Sequence, residues 1–332
     1  MKAAFLEVTG APGVIQYGDL PTPAPGPNEV RVKVAAVSVN PIDTYIRGGA
    51  VPMALPKPFI PGCDFAGTVD AVGSAVVHFN VGDRVWGSNQ GLLGRQGTFA
   101  EYVCPHEDFV YPAPAGVSDE ALAAVALVGI TAHLGLFMAA KTQAGEFVLV
   151  NGGTGGVGSM VVQMAKAVGA TVITTVGSAE KAAQAKTHGA DHVINYKTAD
   201  VAAKIKAATG GAGLHVYYET LREPDYDKIV DVMRPRGRIV VMAGRTARPP
   251  FPHGPFYVKG LTLSGFAMFN MPPDEQRNCA ADIGQWLAAG KIKANICKRM
   301  KISEAAQAHQ LQEDNTVKGS GALSGKIVLT PG

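Results

Sequence analysis

One segment constrains the fold of this chain more than any other: Glu146 to Lys166, with the sequence EFVLVNGGTGGVGSMVVQMAK. Its first part, Phe147 to Asn151, is an apolar, β-prone run, and a glycine-rich turn follows directly. Beyond the turn, apolar residues recur at helical spacing up to Gly169, at Val157, Val161, Met164, Ala165 and Val168. A glycine-rich stretch could be a plain mobile loop, but a strand before it and a helix after it favour a phosphate-binding turn.

Within this turn, Gly153, Gly155 and Gly158 fit the pattern GxGxxG. In that pattern the first glycine permits a tight turn, the second lets the backbone approach a pyrophosphate, and the third lets the helix pack against the strand. The helix N-terminus that follows can present backbone N–H groups to an anion. The sequence therefore predicts a dinucleotide-phosphate cradle formed by Gly153, Thr154, Gly155, Gly156, Val157 and Gly158.

Length and charge limit the remaining possibilities. A chain of 332 residues suits two domains, and 30 basic against 27 acidic side chains give a formal net charge of +3. Because there is no long basic run, we expect neither a nucleic-acid partner nor a membrane partner. The segments rich in apolar residues are expected to stay short of the ~18 residues that a membrane span needs.

The four cysteines, Cys63, Cys104, Cys279 and Cys297, are widely spaced and form no CxxC pair. This spacing indicates free thiols rather than a disulfide framework or a structural zinc knuckle. The N-terminus has too short an apolar run for a signal peptide, so the cytoplasm is the expected location.

The pattern along the chain changes twice. Residues 1–121 contain short β-prone pieces separated by Gly, Pro and Asp, which predicts a compact β-rich barrel. Residues 122–265 alternate strands with helices, which predicts a six-stranded, doubly wound parallel sheet of the α/β class, with its ligand at the carboxyl ends of the strands. The six predicted strands are FVLVN, TVITTV, HVIN, HVYYE, RIVVMA and LTLSGF. Residues 266–332 combine helical spacing with a final strand, KIVLT, and are expected to return to the N-terminal domain.

The end of the second predicted strand bears on the cofactor. An NAD site has a carboxylate there, about 20 residues after the glycines, which holds the ribose 2′-hydroxyl. In this chain the strand ends at the apolar Val176, and Ser178 and Lys181 follow. Ser178 could be only a helix cap and Lys181 only a solvated side chain, and Glu180 weakens the electrostatic argument. The missing carboxylate together with Ser178 and Lys181 nevertheless favours NADPH.

The order of these pieces resembles the medium-chain dehydrogenase/reductase superfamily and, within it, the zinc-free quinone oxidoreductases related to zeta-crystallin. The resemblance runs nearly end to end and is carried by VNPIDTYIRGG, PFIPGCDFAGTV, VGDRVWG, GTFAEYV, LVGITAHLGLF, NGGTGGVG, VGSAEK, HGADHVINY, GRIVVMAG and GKIVL. It implies a GroES-like barrel of residues 1–121 and 266–332 that holds the substrate, a Rossmann domain of residues 122–265, a homodimer, and NADPH as cofactor. It further implies that Tyr196 lies near the adenosine phosphate and that Gly244 and Phe266 approach the nicotinamide.

The same resemblance indicates that no metal is used. Zinc-dependent relatives have Cys where this chain has Asn40, a His-Glu pair where it has Cys63 and Asp64, and a further Cys near Leu127. A catalytic zinc needs about three protein ligands and an open position, which these residues do not supply. Losing zinc disfavours alcohol oxidation, whereas quinones and enones are already electrophilic and need only orientation and one polarised oxygen.

Four residues are the candidates for catalysis. Asn40 is expected to orient the acceptor or the nicotinamide ribose, Thr131 to lie at the cleft, and Tyr45 or Asp43 to donate a hydrogen bond or a proton. Asp43 could equally cap a turn, Tyr45 could be a packed aromatic residue, and solvent could supply the proton. His133, in an apolar helical run, is interpreted as a packing residue rather than a base.

Three functions remain open on the sequence. The first is an NADPH-dependent reductase of quinones or related α,β-unsaturated carbonyl compounds. The second is an enoyl-thioester reductase, which would need a longer acyl channel and a well-placed acid such as Tyr45. The third is a non-catalytic NADPH-binding protein, because lens members of the family serve as crystallins and some relatives bind RNA, although the near-even charge argues against RNA.

Overall fold

The computed structural model describes every residue from Met1 to Gly332 and divides into two compact units. Unit 1 contains Met1–Leu127 and Pro272–Gly332, and unit 2 contains Val128–Met271. The boundaries expected from the sequence, after residues 121 and 265, each lie six residues before those of the structure.

The chain begins with seven strands and one short helix: β1 (Lys2–Phe5), β2 (Gln16–Asp19), β3 (Val30–Ser38), α1 (Pro41–Arg47), β4 (Asp64–Val72), β5 (Arg84–Gly87), β6 (Tyr102–Val103) and β7 (Val110–Pro112). Helices and strands then alternate: α2 (Asp119–His133), continued by a π-helical segment (Leu134–Ala139), β8 (Phe147–Asn151), α3 (Gly156–Ala167), β9 (Thr171–Val176), α4 (Ala179–Thr187), β10 (His192–Asn195), α5 (Val201–Ala208), β11 (Leu214–Glu219), α6 (Tyr226–Val232), β12 (Met233–Val241), α7 (His253–Val258) and β13 (Thr262–Gly265). The chain ends with α8 (Pro273–Ala288), β14 (Ile296–Lys301), α9 (Ala305–Thr316) and β15 (Lys326–Thr330). Short 3-10 turns occupy Pro12–Val14, Glu107–Phe109, Met268–Asn270 and Ile302–Glu304.

Unit 1 is built on a seven-stranded sheet in the order β14-β15-β3-β4-β5-β7, with β6 paired to β3 and a separate β1-β2 ribbon. The alternation of Val30, Val32 and Val34 with more exposed residues in β3 buries one face of this strand. The last strand, β15, pairs antiparallel with β3, with Val328 opposite Ser38. The C-terminal segment therefore returns to the N-terminal unit.

Unit 2 contains six parallel strands in the order β10-β9-β8-β11-β12-β13. Counted along the chain, this is the order 3-2-1-4-5-6 of a doubly wound dinucleotide-binding sheet. The strands are apolar runs because helices cover both faces of such a sheet, and Leu149, Ile173 and Ile239 are completely buried in its core. The predicted α/β fold class, with a doubly wound parallel sheet and a second β-rich unit, is confirmed.

The expectation that no segment matches a membrane span is wrong for one helix. The helix Asp119–Ala139, formed by α2 and its π-helical continuation, has 21 residues and is long and apolar enough to cross a membrane. However, 78% of its most apolar stretch of 18 residues is buried inside the fold, as in a core helix. Its packing is close: a Cβ on Gly135 would lie 2.4 Å from the Tyr218 hydroxyl, which donates a hydrogen bond to the Thr131 carbonyl at 2.8 Å.

Candidate active site: a glycine cradle and a buried polar network

The turn between β8 and α3 has the shape that the glycine pattern predicts. A Cβ on Gly153 would lie 2.1 Å from Thr174 Oγ1, and a Cβ on Gly158 would lie 2.2 Å from the Gly152 carbonyl oxygen. A Cβ on Gly155 would meet only that same carbonyl, at 3.5 Å. Packing therefore excludes a side chain at the first and third glycines, whereas the second, the N-cap of α3, leaves its space open for a ligand. This bare backbone at the start of a 12-residue helix fits a pyrophosphate.

Hydrogen-bonded polar side chains at the ends of the strands lie beside this turn and hold its first residue. The Asn151 amide nitrogen donates to both carboxyl oxygens of Glu219 at 3.1 Å, and its amide oxygen accepts from the Thr175 hydroxyl. Thr175 Oγ1 in turn accepts from the Gly152 N–H at 3.1 Å. The carboxyl ends of the adjacent strands β9, β8 and β11 are thus joined through side chains, and burial raises the pKa of Glu219.

Sequence reasoning missed this network, although a signal for it existed. Each of three parallel strands ends in or beside a polar residue, Asn151, Thr175 and Glu219. Parallel strands place their carboxyl ends at one edge of the sheet, so such residues meet when their strands are neighbours.

The ribose end of the predicted cradle lies at the start of α4. Ser178 is the N-cap of this helix, and its Oγ accepts a hydrogen bond from the Lys181 N–H at 3.2 Å. Tyr196 follows the neighbouring strand β10, is 54% exposed, and places its hydroxyl where a Cβ on Gly177 would be only 2.6 Å away. The structure brings Ser178, Lys181 and Tyr196 to one edge of unit 2, and β9 ends there in Val176 without a carboxylate.

The remaining predicted cofactor residues follow β12 and β13 at the same edge of the sheet. Gly244 has a φ of +85°, and a Cβ on it would lie 2.1 Å from the Arg222 carbonyl oxygen. The loop after β11 therefore packs directly against the loop after β12. Phe266 is half-buried, and its N–H donates to the Val241 carbonyl at 3.3 Å.

In unit 1, the residues around the α1 N-terminus form a second buried network centred on Asp64, which is 0% exposed. Its Oδ2 accepts from the Ser38 hydroxyl and the Asn40 amide nitrogen, both at 2.7 Å. Its Oδ1 accepts from the Ser88 hydroxyl at 2.7 Å and the Leu127 N–H at 3.1 Å. The carboxyl group thus has four donors and no contact with solvent.

A lysine completes this network from the other end of the chain. Lys326 Nζ donates to the Val39 carbonyl oxygen at 2.8 Å and to the Asn40 amide oxygen, and it lies 3.7 Å from Asp64 Oδ2. Burial lowers the pKa of Lys326, and the neighbouring carboxyl groups oppose that shift. Lys326 lies in the GKIVL motif, but nothing in its sequence position indicates that it reaches Asn40.

Asp43 and Cys63 lie beside this network. Asp43 Oδ2 accepts from the Asn40 N–H at 2.8 Å, so the carboxyl group reaches back to the start of α1. Burial raises the pKa of Asp43 to about 7, and its contact with Cys63 and the charge of Lys326 act in the opposite direction. Burial also raises the pKa of the Cys63 thiol.

Of the four predicted catalytic residues, three lie on α1 or at its N-cap. Asn40 and Asp43 are buried in the network, and Tyr45 lies half-buried on the same helix, α1. Both ends of the Asn40 amide are engaged by Lys326 and Asp64. Thr131 is 5% exposed and lies on α2 in unit 2, where its carbonyl accepts from Tyr218.

The side chains around Asp64 do not meet the requirements of a metal site. No three His, Cys, Asp or Glu side chains lie close enough to share a metal ion. Around Cys63 and Asp64, the carboxyl oxygens already accept from protein donors, and an ammonium group lies within 4 Å of one of them. Such a set does not fit a zinc ion, which needs about three uncommitted nitrogen, oxygen or sulfur ligands and repels a neighbouring cation.

Two family models match the chain. The alcohol dehydrogenase GroES-like domain matches residues 26–115, and the zinc-binding dehydrogenase domain matches residues 156–285. Among curated proteins, the quinone oxidoreductase of Sus scrofa is 33% identical over 99% of this chain and 97% of its own length. A 2-haloacrylate reductase of a Burkholderia species is 31% identical over 100% of this chain and 99% of its own length.

Solved structures agree with these matches. Quinone oxidoreductase of Escherichia coli, in complex with NADPH, superposes with a TM-score of 0.87 at 30% identity, with all of both chains covered. An NAD-dependent alcohol dehydrogenase superposes with a TM-score of 0.89, also at 30% identity and full coverage of both chains. The chain matches these proteins over its full length, and it has a parallel sheet in dinucleotide-binding order and a glycine cradle that fits a nicotinamide cofactor. The chain is therefore an oxidoreductase that belongs to the quinone oxidoreductase family of the medium-chain dehydrogenase/reductase superfamily.

Proposed function

We propose that this enzyme uses NADPH to reduce quinones and related α,β-unsaturated carbonyl compounds, without zinc. The observation that carries the proposal is the Lys326 ammonium beside Asp64. Zinc-dependent relatives have metal-binding residues at or near the positions of Asn40, Cys63, Asp64 and Leu127. The Lys326 ammonium lies beside two of these positions, Asn40 and Asp64. A fixed internal cation at this place disfavours a bound metal ion and hence the oxidation of unactivated alcohols.

The choice of NADPH rests on the end of β9. Val176 provides no carboxylate to bind a 2′-hydroxyl, while Ser178, Lys181 and the exposed Tyr196 lie together there. A hydroxyl group, helix-start N–H groups and an ammonium favour a 2′-phosphate. The E. coli relative in complex with NADPH supports this assignment, whereas the NAD-dependent relative shows that the fold alone does not decide it.

When bound, NADPH supplies a hydride to the acceptor carbon. The chain's own residues hold the cofactor, orient the acceptor and provide a hydrogen bond to its oxygen, which takes up a proton. We assign Gly153 to Gly158 to the pyrophosphate, and Gly244 and Phe266 to the nicotinamide end. Asn40 is buried and both ends of its amide are engaged, so we assign it to orient the acceptor indirectly, through the start of α1. As hydrogen-bond donor to the acceptor we prefer Tyr45, which is half-buried, to Asp43, which is buried. Thr131, on α2, is the remaining residue that we assign to the acceptor site.

A second acceptor class is favoured by one comparison. The 2-haloacrylate reductase relative reduces, by its name, an activated alkene that carries a carboxylate. Such an alkene accepts a hydride for the same electronic reason as an enone, and the same residues would serve it.

We further propose a homodimer in the cytoplasm, formed through the unit 2 sheet. Strand β13 is the edge of that sheet and pairs only with β12. On α7, the preceding helix, Tyr257 is 64% and Val258 73% exposed. Size-exclusion chromatography with light scattering gives a mass of two chains if this is correct and of one chain if it is not.

One screen tests the proposed function. NADPH and NADH oxidation are followed with a benzoquinone, a naphthoquinone, an enone, 2-chloroacrylate and a crotonyl thioester, and zinc is assayed on the same sample. We expect turnover of quinones and enones with NADPH and substoichiometric zinc. Turnover confined to the thioester, stoichiometric zinc, or tight NADPH binding without turnover of any acceptor would each overturn the proposal.

A further inference from the structure

Helix α1, which carries Tyr45, is tied at both ends to the C-terminal segment of the chain. At its start, Lys326 of β15 donates to the carbonyl of Val39 at 2.8 Å and to the side-chain oxygen of Asn40. At its end, Arg47, 2% exposed, pairs with Glu313 of α9. The pairing residues are separated by more than 260 residues in sequence.

A helix of seven residues does not hold its own shape in water, because helix nucleation is costly and few hydrogen bonds repay it. The position of α1 therefore depends on what surrounds it. Helix α9 packs along it, and the first turn is fixed by the Asn40 N–H, which donates to Asp43, and by the Asn40 side chain, which Lys326 and Asp64 hold from opposite sides.

The stability of the fold does not by itself explain why a charged side chain is buried at position 326. Removing an ammonium group from water is costly, and replacing a buried ion pair by apolar residues of similar volume is often neutral or stabilising. The geometry supplies the reason: a methylene chain would fill the same space, but it could not donate to the Asn40 amide oxygen. Lys326 holds this oxygen toward β15, while Asp64 accepts from the amide nitrogen.

We propose that Lys326 is a positioning residue: its ammonium group fixes Asn40 and thereby the start of α1, which places Tyr45 for the acceptor. The inference that this affects the reaction rests on the proposed function, whereas the effect on α1 does not. Lys326 acts through Asn40 and touches neither cofactor nor acceptor.

The test uses Lys326→Met, the double variant Lys326→Met with Asp64→Asn, and Lys301→Met as control. Lys301 is a lysine on β14, the strand beside β15, and its ammonium is exposed. Hydrogen–deuterium exchange of a peptide that covers residues 39–50 reports on α1 without any catalysis. Steady-state kinetics give kcat/KM for the acceptor. A fluorescence titration gives the Kd of NADPH, whose proposed cradle lies in unit 2.

In Lys326→Met we expect faster exchange across α1, a fall of about 10-fold to 100-fold in kcat/KM for the acceptor, and a Kd of NADPH within about twofold of the original. Lys301→Met should leave all three unchanged. The double variant removes the unpaired charge and should recover thermal stability, but its kcat/KM should stay low because the Asn40 amide is still not fixed.

Two results would overturn the inference. The first is a folded Lys326→Met variant with unchanged exchange in α1. The second is a double variant in which activity returns together with stability, since that pattern belongs to a charge that matters only for folding. If the unchanged enzyme turns over no acceptor, the proposed function fails, but the exchange measurement still decides whether Lys326 holds α1.

Discussion

Nζ of Lys326 lies 3.7 Å from Oδ2 of Asp64, and the two side chains are 5% and 0% exposed. Both charges are therefore removed from water and depend on each other and on neighbouring polar groups. Asp64 has four donors and Lys326 has two oxygen acceptors besides this carboxyl group. This pair links β4 to the last strand of the chain and makes the C-terminal segment part of the candidate active site.

The first prediction concerns the stability that Asp64 provides. Asp64→Asn keeps the shape of the side chain but leaves the Lys326 ammonium without its counter-charge. Breaking one partner of a buried pair costs about 3–5 kcal/mol in the free energy of unfolding, which urea denaturation measures.

A matched control lies on the same strand. Asp70 pairs with Arg31 near the surface, where the two side chains are 30% and 25% exposed. Asp70→Asn should cost less than about 1 kcal/mol because solvent screens that pair. Equal losses in the two variants would mean that burial of the Lys326–Asp64 pair has no special effect.

The second prediction is a pH dependence caused by Asp43. Its folded-state pKa of about 7 lies above the ordinary value of 3.8, so the folded protein binds a proton that the unfolded chain has released. The resulting stability is fully present below about pH 4 and is lost as the pH rises through about 7. Asp43→Asn lacks this titration, so its stability relative to the unchanged protein should rise between pH 4 and pH 8 by a few kcal/mol, to order of magnitude. Urea denaturation of both proteins across this range checks it, and parallel stability curves would contradict the assignment.

The third prediction separates two glycines of the same turn. Gly158→Ala places a Cβ 2.2 Å from a backbone oxygen, so the turn must shift, and we expect a loss of about 1–3 kcal/mol in the absence of cofactor. Gly155→Ala meets its nearest atom at 3.5 Å and has a φ of −70°, so its stability should change by less than about 0.5 kcal/mol.

Cofactor binding should show a different pattern in these variants. Gly155→Ala should weaken NADPH binding, measured by fluorescence titration, because its methyl group enters the space proposed for the pyrophosphate. Unchanged NADPH affinity in Gly155→Ala would show that the phosphates do not lie against this glycine.

The fourth prediction addresses the 2′-phosphate. Lys181→Ala should raise the KM for NADPH by about 10-fold to 100-fold, as expected for a lost hydrogen bond to a charged group, and should leave the KM for NADH nearly unchanged. Lys186→Ala, at an exposed position in the last turn of the same helix, is the control. Equal effects of Lys181→Ala on both cofactors would remove the assignment of Lys181.

Local patterns were enough to predict the units of the fold. The run Phe147–Asn151, the glycines after it and the helical spacing beyond them specify a strand, a turn and a helix within about 20 residues. Five of the six predicted strands of unit 2 begin and end within two residues of those observed, because buried parallel strands are uninterrupted apolar runs. Strand β12 is the exception, since it begins at Met233, before the predicted RIVVMA.

The helix Asp119–Ala139 shows where local patterns mislead. Its sequence is as apolar as a membrane span, and only its burial within the fold identifies it as a core helix. Composition measures how apolar a segment is but does not reveal which surface covers it.

Local sequence was sufficient to place the glycine turn between β8 and α3, the order of strands and helices, and the apolar end of β9 with Ser178 and Lys181 after it. These depend on neighbours along the chain, where side-chain spacing and backbone preference act directly. Three further contacts exist only in the folded chain: Lys326 holds Asn40 across 286 residues, Asp64 accepts from four donors, and Asn151 donates to Glu219 beside the glycine turn. These contacts depend on which strands become neighbours, and the electrostatic energy of a buried charge is set by the groups that the completed fold brings within a few ångströms of it.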